Sequence, residues 1–126
     1  MTSASYVKSI LVSEIKQLPK LSVEHIHAFS IGNDSNTDDP ILLITELPDY
    51  SQNYGNGQPI STKKQAQIEF YYPKDYQGDM EAIETAVKWR LLNHGLYCNS
   101  DVGHVLTPDT QNIENTLKFI YTKEEI

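Results

Sequence analysis

The sequence predicts an α+β fold, a mainly antiparallel β-sheet with two helices packed on one face, in a single domain that spans residues 1–126. Apolar residues recur with the helical period of 3.6 in two places only, residues 5–18 and 79–94. The intervening and following segments alternate with period two and are joined by turn-rich links, which favours antiparallel pairing. A chain of 126 residues has the size of one domain.

The first helix is predicted over residues 5–18. Its apolar side chains fall on one stripe, Val7, Ile10, Leu11, Ile15 and Leu18. Ser3 or Ser5 is expected to cap the start, and Pro19 ends the pattern.

Two strands, over residues 23–31 and 41–47, are predicted next, and the turn-rich residues 32–40 between them indicate a hairpin. His25 and His27 fall on the same side of the first strand, about 7 Å apart, a spacing that can hold a metal ion. Two ligands do not make a site, and no Cys or HExxH partner accompanies them. We therefore expect a structural role for both histidines, with no metal and no cofactor.

Residues 48–62 are rich in Gly, Pro, Asn and Gln and are predicted to form a long flexible loop. Tyr50 and Tyr54 are amphipathic side chains suited to docking against a partner. We predict partner contacts at both tyrosines and at the acidic residues Asp38, Asp39 and Asp49. The alternative is a mobile insertion without a role, which surface loops tolerate.

A strand is clearest over residues 64–72, where Ala66, Ile68, Phe70 and Tyr72 alternate with polar neighbours and Tyr71. Pro73 ends it, and the second helix follows over residues 79–94. Its early acids, among them Glu81 and Glu84, complement the helix dipole, and Gly95 is placed to end it. Further strands are predicted over residues 96–100, 103–106 and 113–122.

The charge balance argues against phosphate-driven nucleic-acid binding. The chain has ten basic and seventeen acidic side chains, which gives a formal net charge of -7. Residues 21–62 contain six acids and neither Lys nor Arg. Cys98 is the single cysteine, which fits a reducing compartment, and we expect it to be a small buried side chain. No apolar run is long enough for a membrane span, and no secretory signal is apparent. Without a catalytic motif, the sequence does not predict an enzyme.

Two strings, FYYPKDY at residues 70–76 and GHVLTPDT at residues 103–110, resemble a family of small tail proteins from long-tailed phages (siphophages) of Gram-positive bacteria. The similarity covers about residues 66–121, with a weaker match of the first helix. That family resembles the tail terminators, also called tail-completion or head-to-tail joining proteins. The resemblance implies a structural virion protein of the tail-terminator fold, with no catalytic residues.

The implied function is a homo-hexameric ring that caps the tail tube, stops its polymerisation and presents a surface for head-to-tail joining. The implied partners are other copies of the chain, the major tail tube protein and the head–tail connector protein. DNA would pass through the channel without specific binding, and no membrane is involved. The protein would lie in the virion at the head-proximal end of the tail, and in the host cytoplasm during assembly. Two alternatives remain open: another minor tail or head–tail connector component, and a small-ligand-binding α+β domain.

Overall fold

The computed structural model describes residues 2–31, 39–55, 58–108 and 112–124, and forms two helices beside one six-stranded sheet. The order of elements is α1 Ser3–Ser13, β1 Ile26–Ala28, β2 Ile41–Gly55, β3 Gln58–Tyr72, α2 Met80–Leu92, β4 Tyr97–Asp101, β5 Val105–Leu106 and β6 Ile113–Glu124. The strands lie in the order β1-β2-β3-β6-β4, and β5 also pairs with β6. All pairs are antiparallel except β1 with β2. The α+β fold with a mainly antiparallel sheet is therefore confirmed.

Both helices bury their apolar stripes in a core that they share with the sheet. The stripe of α1 contributes Val7, Ile10 and Leu11, and that of α2 contributes Ile83, Val87 and Leu91. Burial of an apolar side chain of this size stabilises the fold by roughly 1.5–3 kcal/mol. The inner face of β3 supplies Ala66, Ile68, Phe70 and Tyr72, as the alternation predicts.

The register of the long strands explains which face is buried. Leu42 and Ile44 of β2 pair with Phe70 and Ile68 of β3, and Ile68 in turn pairs with Leu117 of β6. Paired residues lie on the same face of a sheet, so these side chains form one apolar layer beneath the helices. The residues between them, such as Gln67 of β3, lie on the opposite face and are half-buried.

The prediction of a loop over residues 48–62 is wrong, because the chain forms strands on both sides of residues 56–57. Here β2 and β3 continue as a hairpin, with pairs such as Gln52↔Thr62 and Gly55↔Gln58. Pro48 and Pro59 indicated a loop because proline cannot donate to a ladder, but Pro48 falls in the register shift between Leu47 and Ser51. The far side of β3 is paired with β6 as far as Ser61↔Glu124, which supports this extension.

The hairpin predicted for the first two strands is also wrong. Only Ile26–Ala28 is strand, it follows a 3-10 turn at Val23–His25, and it runs parallel to β2. Alternation has the same period in either direction, so the pattern could not distinguish parallel from antiparallel pairing. The parallel register places Ile26 beside Leu42 and Ala28 beside Ile44, on the face that α1 covers.

The ends of α1 differ from the prediction, whereas α2, predicted over residues 79–94, runs from Met80 to Leu92 within that segment. Thr2, and neither Ser3 nor Ser5, caps α1 by accepting a hydrogen bond from the Ser5 amide at 3.1 Å. Ser3 is buried and donates to the Gln65 carbonyl at 3.0 Å. The helix ends at Ser13, and a 3-10 turn over Ile15–Gln17 completes the predicted segment.

Asp79 caps α2 through the Ala82 amide at 3.0 Å. Gly95 follows that helix with φ 86°, the left-handed conformation expected of its terminator. In the part of the chain that the structure describes, no helix is long and apolar enough to cross a membrane.

Candidate functional site

The two strings singled out in the sequence meet at one buried carboxylate, Glu84 of α2. Tyr72, at the end of β3, donates its phenol proton to Glu84 Oε2 at 2.6 Å. His104, just before β5, places Nε2 2.7 Å from the same oxygen. Glu84 is 4% exposed, so these neighbours, rather than water, supply its hydrogen bonds.

The second oxygen of Glu84 extends this contact into a network of hydrogen bonds. Asn115 of β6 donates to Glu84 Oε1 at 2.8 Å and also to Asp101 Oδ1 at 3.1 Å. Lys88 of α2 donates to Asp101 Oδ2 at 2.8 Å. We call this set the polar cluster: Tyr72, Glu84, Lys88, Asp101, His104 and Asn115.

The polar cluster fixes the position of the segment between β4 and β5. The Gly103 amide donates to Asn115 Oδ1 at 3.0 Å and to Asp101 Oδ1 at 3.2 Å. Gly103 has φ 95°, which a residue with a side chain adopts only under strain. The segment is therefore attached to α2 and to β6 at the same time.

Burial and charge set the protonation of the polar cluster. Burial, reinforced by the Glu84 carboxylate, raises the pKa of the Tyr72 phenol far above its ordinary value, so Tyr72 stays a proton donor. The hydrogen bond from Lys88, followed by that from Asn115, lowers the pKa of Asp101 against the opposing effect of burial. The hydrogen bond from Lys88 to Asp101 also raises the pKa of Lys88. At neutral pH the Lys88–Asp101 pair is ionised.

Aromatic rings enclose the Tyr72 end of the cluster. Tyr72 stacks on Tyr76 with 5.5 Å between ring centroids, and the His104 ring lies 6.1 Å away. Gly78 lies so close to Tyr76 that an added Cβ would collide with the ring. Among the described residues, every buried side-chain nitrogen or oxygen has a hydrogen-bond partner. The arrangement is suited to holding four elements together, namely β3, α2, β4 and β6.

The outer side of α2 and the neighbouring β4 form an exposed apolar surface. Trp89 is 57% exposed, and Leu92 and Tyr97 are each 48% exposed. They line a groove of about 290 Å³ together with side chains of the same two elements. We call this groove the α2–β4 surface: Thr85, Lys88, Trp89, Leu92, Tyr97 and Cys98. Its volume is slightly below the roughly 300 Å³ at which typical small-molecule pockets begin.

Other large apolar side chains are exposed near both edges of the sheet. Near β5, Val102, Val105 and Leu106 are each more than half exposed. At the opposite edge, Val23 and Phe29 flank β1 and are 45% and 53% exposed. Phe29 has φ 70°, a left-handed conformation that is rare for a bulky residue.

The structure places only one of the predicted contact side chains. Asp39 is exposed, and its charge adds to burial in raising the pKa of Tyr76. Asp38 lies outside the described residues. The strand β2 includes Asp49, Tyr50 and Tyr54, but the structure describes only the backbone of these three residues. That these five residues form one contact surface therefore stays a prediction.

The histidines considered as metal ligands lie in different surroundings. His25 ends a 3-10 turn and lies 3.6 Å from a Glu24 carboxylate oxygen, whereas His27 is within β1. His94 lies 3.3 Å from Glu14. Within the described ranges, no group of three or more His, Cys, Asp or Glu side chains could hold a metal ion.

The roles of Glu84, Trp89 and Leu92 in the polar cluster and the α2–β4 surface were not predicted from the sequence. Glu84 was assigned to the helix dipole, but it lies four residues after Met80 and three before Val87, which places it on the buried stripe. Trp89 lies two residues beyond Val87 and therefore on the other side of α2. The acid on the apolar stripe is the signal that could have identified the polar cluster. The tryptophan off that stripe could have identified the α2–β4 surface.

The family comparison matches residues 6–124 to the family described as "Protein of unknown function (DUF806)", and the chain belongs to this family. No curated protein matches the sequence.

Proposed function

We propose that this member of the DUF806 family is a phage tail terminator, a structural virion protein whose ring caps the tail tube. The ring would stop tube polymerisation and provide the surface on which the head connector docks. Its action would depend on contacts between proteins, with no reacting group and no cofactor.

The observation that carries this proposal is the amount of large apolar side chain exposed near two opposite sheet edges. Trp89, Leu92 and Leu106 lie near one edge, and each is about half exposed or more. Phe29 lies near the other edge and is also about half exposed. Clusters of exposed apolar side chains mark surfaces that bind another protein, a membrane or a ligand. A ring subunit needs such patches at two different places, since it contacts a neighbour on each side.

The two strings that resemble the tail-protein family add support, because they meet in the structure. Tyr72 from the first string and His104 from the second share one oxygen of Glu84. The polar cluster fixes β5 and its exposed Val105 and Leu106 relative to α2. A pre-ordered surface loses less conformational entropy when it binds.

The acidic segment 21–62 remains our candidate for the channel surface. Asp39 and Glu46 are exposed, and no Lys or Arg lies in this stretch of sequence. A negative channel wall would repel the phosphates of passing DNA and so prevent it from binding. An assembled ring that has these residues on its outside would contradict this placement.

The proposal is tested by assembling tails with and without the gene. Without the protein, we expect tubes longer than normal that fail to join capsids, as seen by electron microscopy. Purified protein added to growing tubes is expected to restore a defined length and to appear as a ring at one end. Tails of normal length that join capsids without the gene would contradict the proposal.

The same preparations separate the alternatives. A minor tail or connector component would leave tube length unchanged while blocking a different assembly step. A small-ligand-binding domain would leave both steps intact and would instead show a melting temperature that depends on the ligand.

The hairpin of β2 and β3 gives a second prediction, on tube binding. Its outermost pairs, Tyr54↔Pro59 and Gly55↔Gln58, lie beyond the last β3–β6 pair, Ser61↔Glu124. Replacing residues 53–61 by Asn-Gly would close the hairpin on the pair Gln52↔Thr62 with a two-residue turn. We expect this variant to fold and form rings but to bind tail tubes at least about tenfold more weakly, because it loses Tyr54 and the tip.

Co-sedimentation with preformed tubes measures this binding, and thermal unfolding verifies the fold. The matched control is Lys74→Ala in the turn after β3, an exposed position away from the hairpin. Full tube binding by the shortened hairpin would show that the tip does not contact the tube.

A further inference from the structure

The exposed apolar side chains at the two edges of the sheet differ in form. At the β1 edge, Phe29 projects as a single aromatic side chain just after the strand, with Val23 before it. At the other edge, the α2–β4 surface is a groove whose apolar walls are Trp89, Leu92 and Tyr97. A groove of about 290 Å³ has room for a side chain of the size of phenylalanine.

The two sites are on opposite edges of one sheet. In the described part of the chain, β1 pairs only with β2 and β4 only with β6, so each strand also has an outer edge without a strand partner. A contact between unlike edges leaves a free edge of each kind at the two ends, which is the geometry that builds rings. A contact between like edges would end at a dimer.

Charge favours contact between unlike edges. The Glu24 side chain, beside Val23 at the β1 edge, is 78% exposed. Two β1 edges facing each other would bring their Glu24 side chains together. The α2–β4 surface contains Lys88, which is partly exposed and forms an ion pair with Asp101. The Glu24 side chain therefore meets less like charge at the opposite edge of a second copy than it would at a second β1 edge.

The backbone at Phe29 is a further sign that this side chain has a role. Its φ of 70° is held by a hydrogen bond from the Phe29 amide to the Ile44 carbonyl at 2.8 Å. Bulky residues persist in this conformation where the surroundings enforce it, and such positions concentrate at functional sites. The result here is an aromatic ring presented to solvent at a sheet edge.

We propose that the α2–β4 surface of one copy receives Phe29 and the β1 edge of the next copy. This assignment rests on the proposed ring and names the two surfaces that would form it. Trp89 and Phe29 would be the central contacts, and Glu24 would lie toward Lys88.

Paired cysteines at the two edges test the assignment. In a Cys98→Ser background, Ser30→Cys lies beside Phe29 and Thr85→Cys lies in the groove, and both positions are exposed. Treating assembled protein with a short bis-maleimide is expected to give a ladder of covalent oligomers that ends at the ring size. Ser30→Cys with Lys16→Cys, an exposed position on neither edge, is the matched control and should give no ladder.

Single-cysteine chains establish the direction of the contact. Mixing a Ser30→Cys chain with a Thr85→Cys chain, both in the Cys98→Ser background, is expected to yield cross-linked dimers of one chain of each kind. Dimers linked through two Ser30→Cys chains would overturn the proposal, because like edges would then meet.

Two further outcomes separate this proposal from the function. Rings that are visible on tail tubes but give no Ser30–Thr85 cross-link would overturn the edge assignment and leave the tail-terminator function standing. A protein that forms no ring on tubes or in concentrated solution would overturn both.

Discussion

Replacing Glu84 by leucine is expected to lower the free energy of unfolding by about 3–5 kcal/mol, even though leucine has nearly the same size. The Tyr72 hydroxyl and the Asn115 amide, at 2.6 and 2.8 Å from the carboxylate, would lose their acceptor in a buried place. Each buried polar group left without a partner costs about 1–3 kcal/mol. Urea denaturation, with the midpoint and slope compared between variants, measures the loss.

Thr85→Ala is the matched control for this experiment, since it changes the next residue of α2 at an exposed position. Its free energy of unfolding should differ from that of the native protein by about 0.5 kcal/mol or less. Glu84→Gln, which keeps an acceptor oxygen, should lie between the two. Native stability in Glu84→Leu would show that the polar cluster does not hold α2 to the sheet.

Two defective chains are expected to complement each other only as far as a dimer. Phe29→Ser removes the proposed aromatic contact of the β1 edge, and Trp89→Ala removes a wall of the α2–β4 surface. Removal of a central aromatic contact commonly costs about 2–4 kcal/mol of binding, which is a loss of roughly 30- to 1,000-fold in affinity. Either variant alone should therefore fail to form rings.

In a mixture, one intact contact remains possible, between the native groove of the Phe29→Ser chain and the native Phe29 of the Trp89→Ala chain. Size-exclusion chromatography with light scattering should then show a dimer of one copy of each. Since both residues are exposed, we expect the thermal stability of the isolated subunits to be nearly unchanged. Rings formed by either variant alone, with native affinity, would contradict the assigned contact.

The fold was predictable where burial follows a simple period. The alternation of Ala66, Ile68 and Phe70 and the stripe of Ile83, Val87 and Leu91 both correspond to observed buried faces. Periodicity reports which side of an element is apolar, and it is insensitive to the direction in which strands run. That is why the strand at Ile26–Ala28 was recognised but its parallel pairing was not.

The hairpin was missed for a related reason. Residues 48–62 have the composition of a loop, and their strand conformation depends on backbone pairing between β2 and β3 and on support from β6. Such nonlocal pairing leaves no local signal in polar and Gly-rich sequence. The candidate site was harder still, because Glu84, Asp101 and Asn115 come from three elements distant in sequence and meet only in the folded chain.

The left-handed backbone of Phe29 has a consequence for the evolution and engineering of this protein. Holding a bulky residue at φ 70° costs on the order of 1–3 kcal/mol, which is a sizeable part of the net stability of a small domain. Selection for thermostable variants would therefore favour glycine or asparagine at this position, because these residues adopt such angles readily. Selection for assembly would oppose that substitution. At this residue, a change that raises thermostability is therefore expected to lower function.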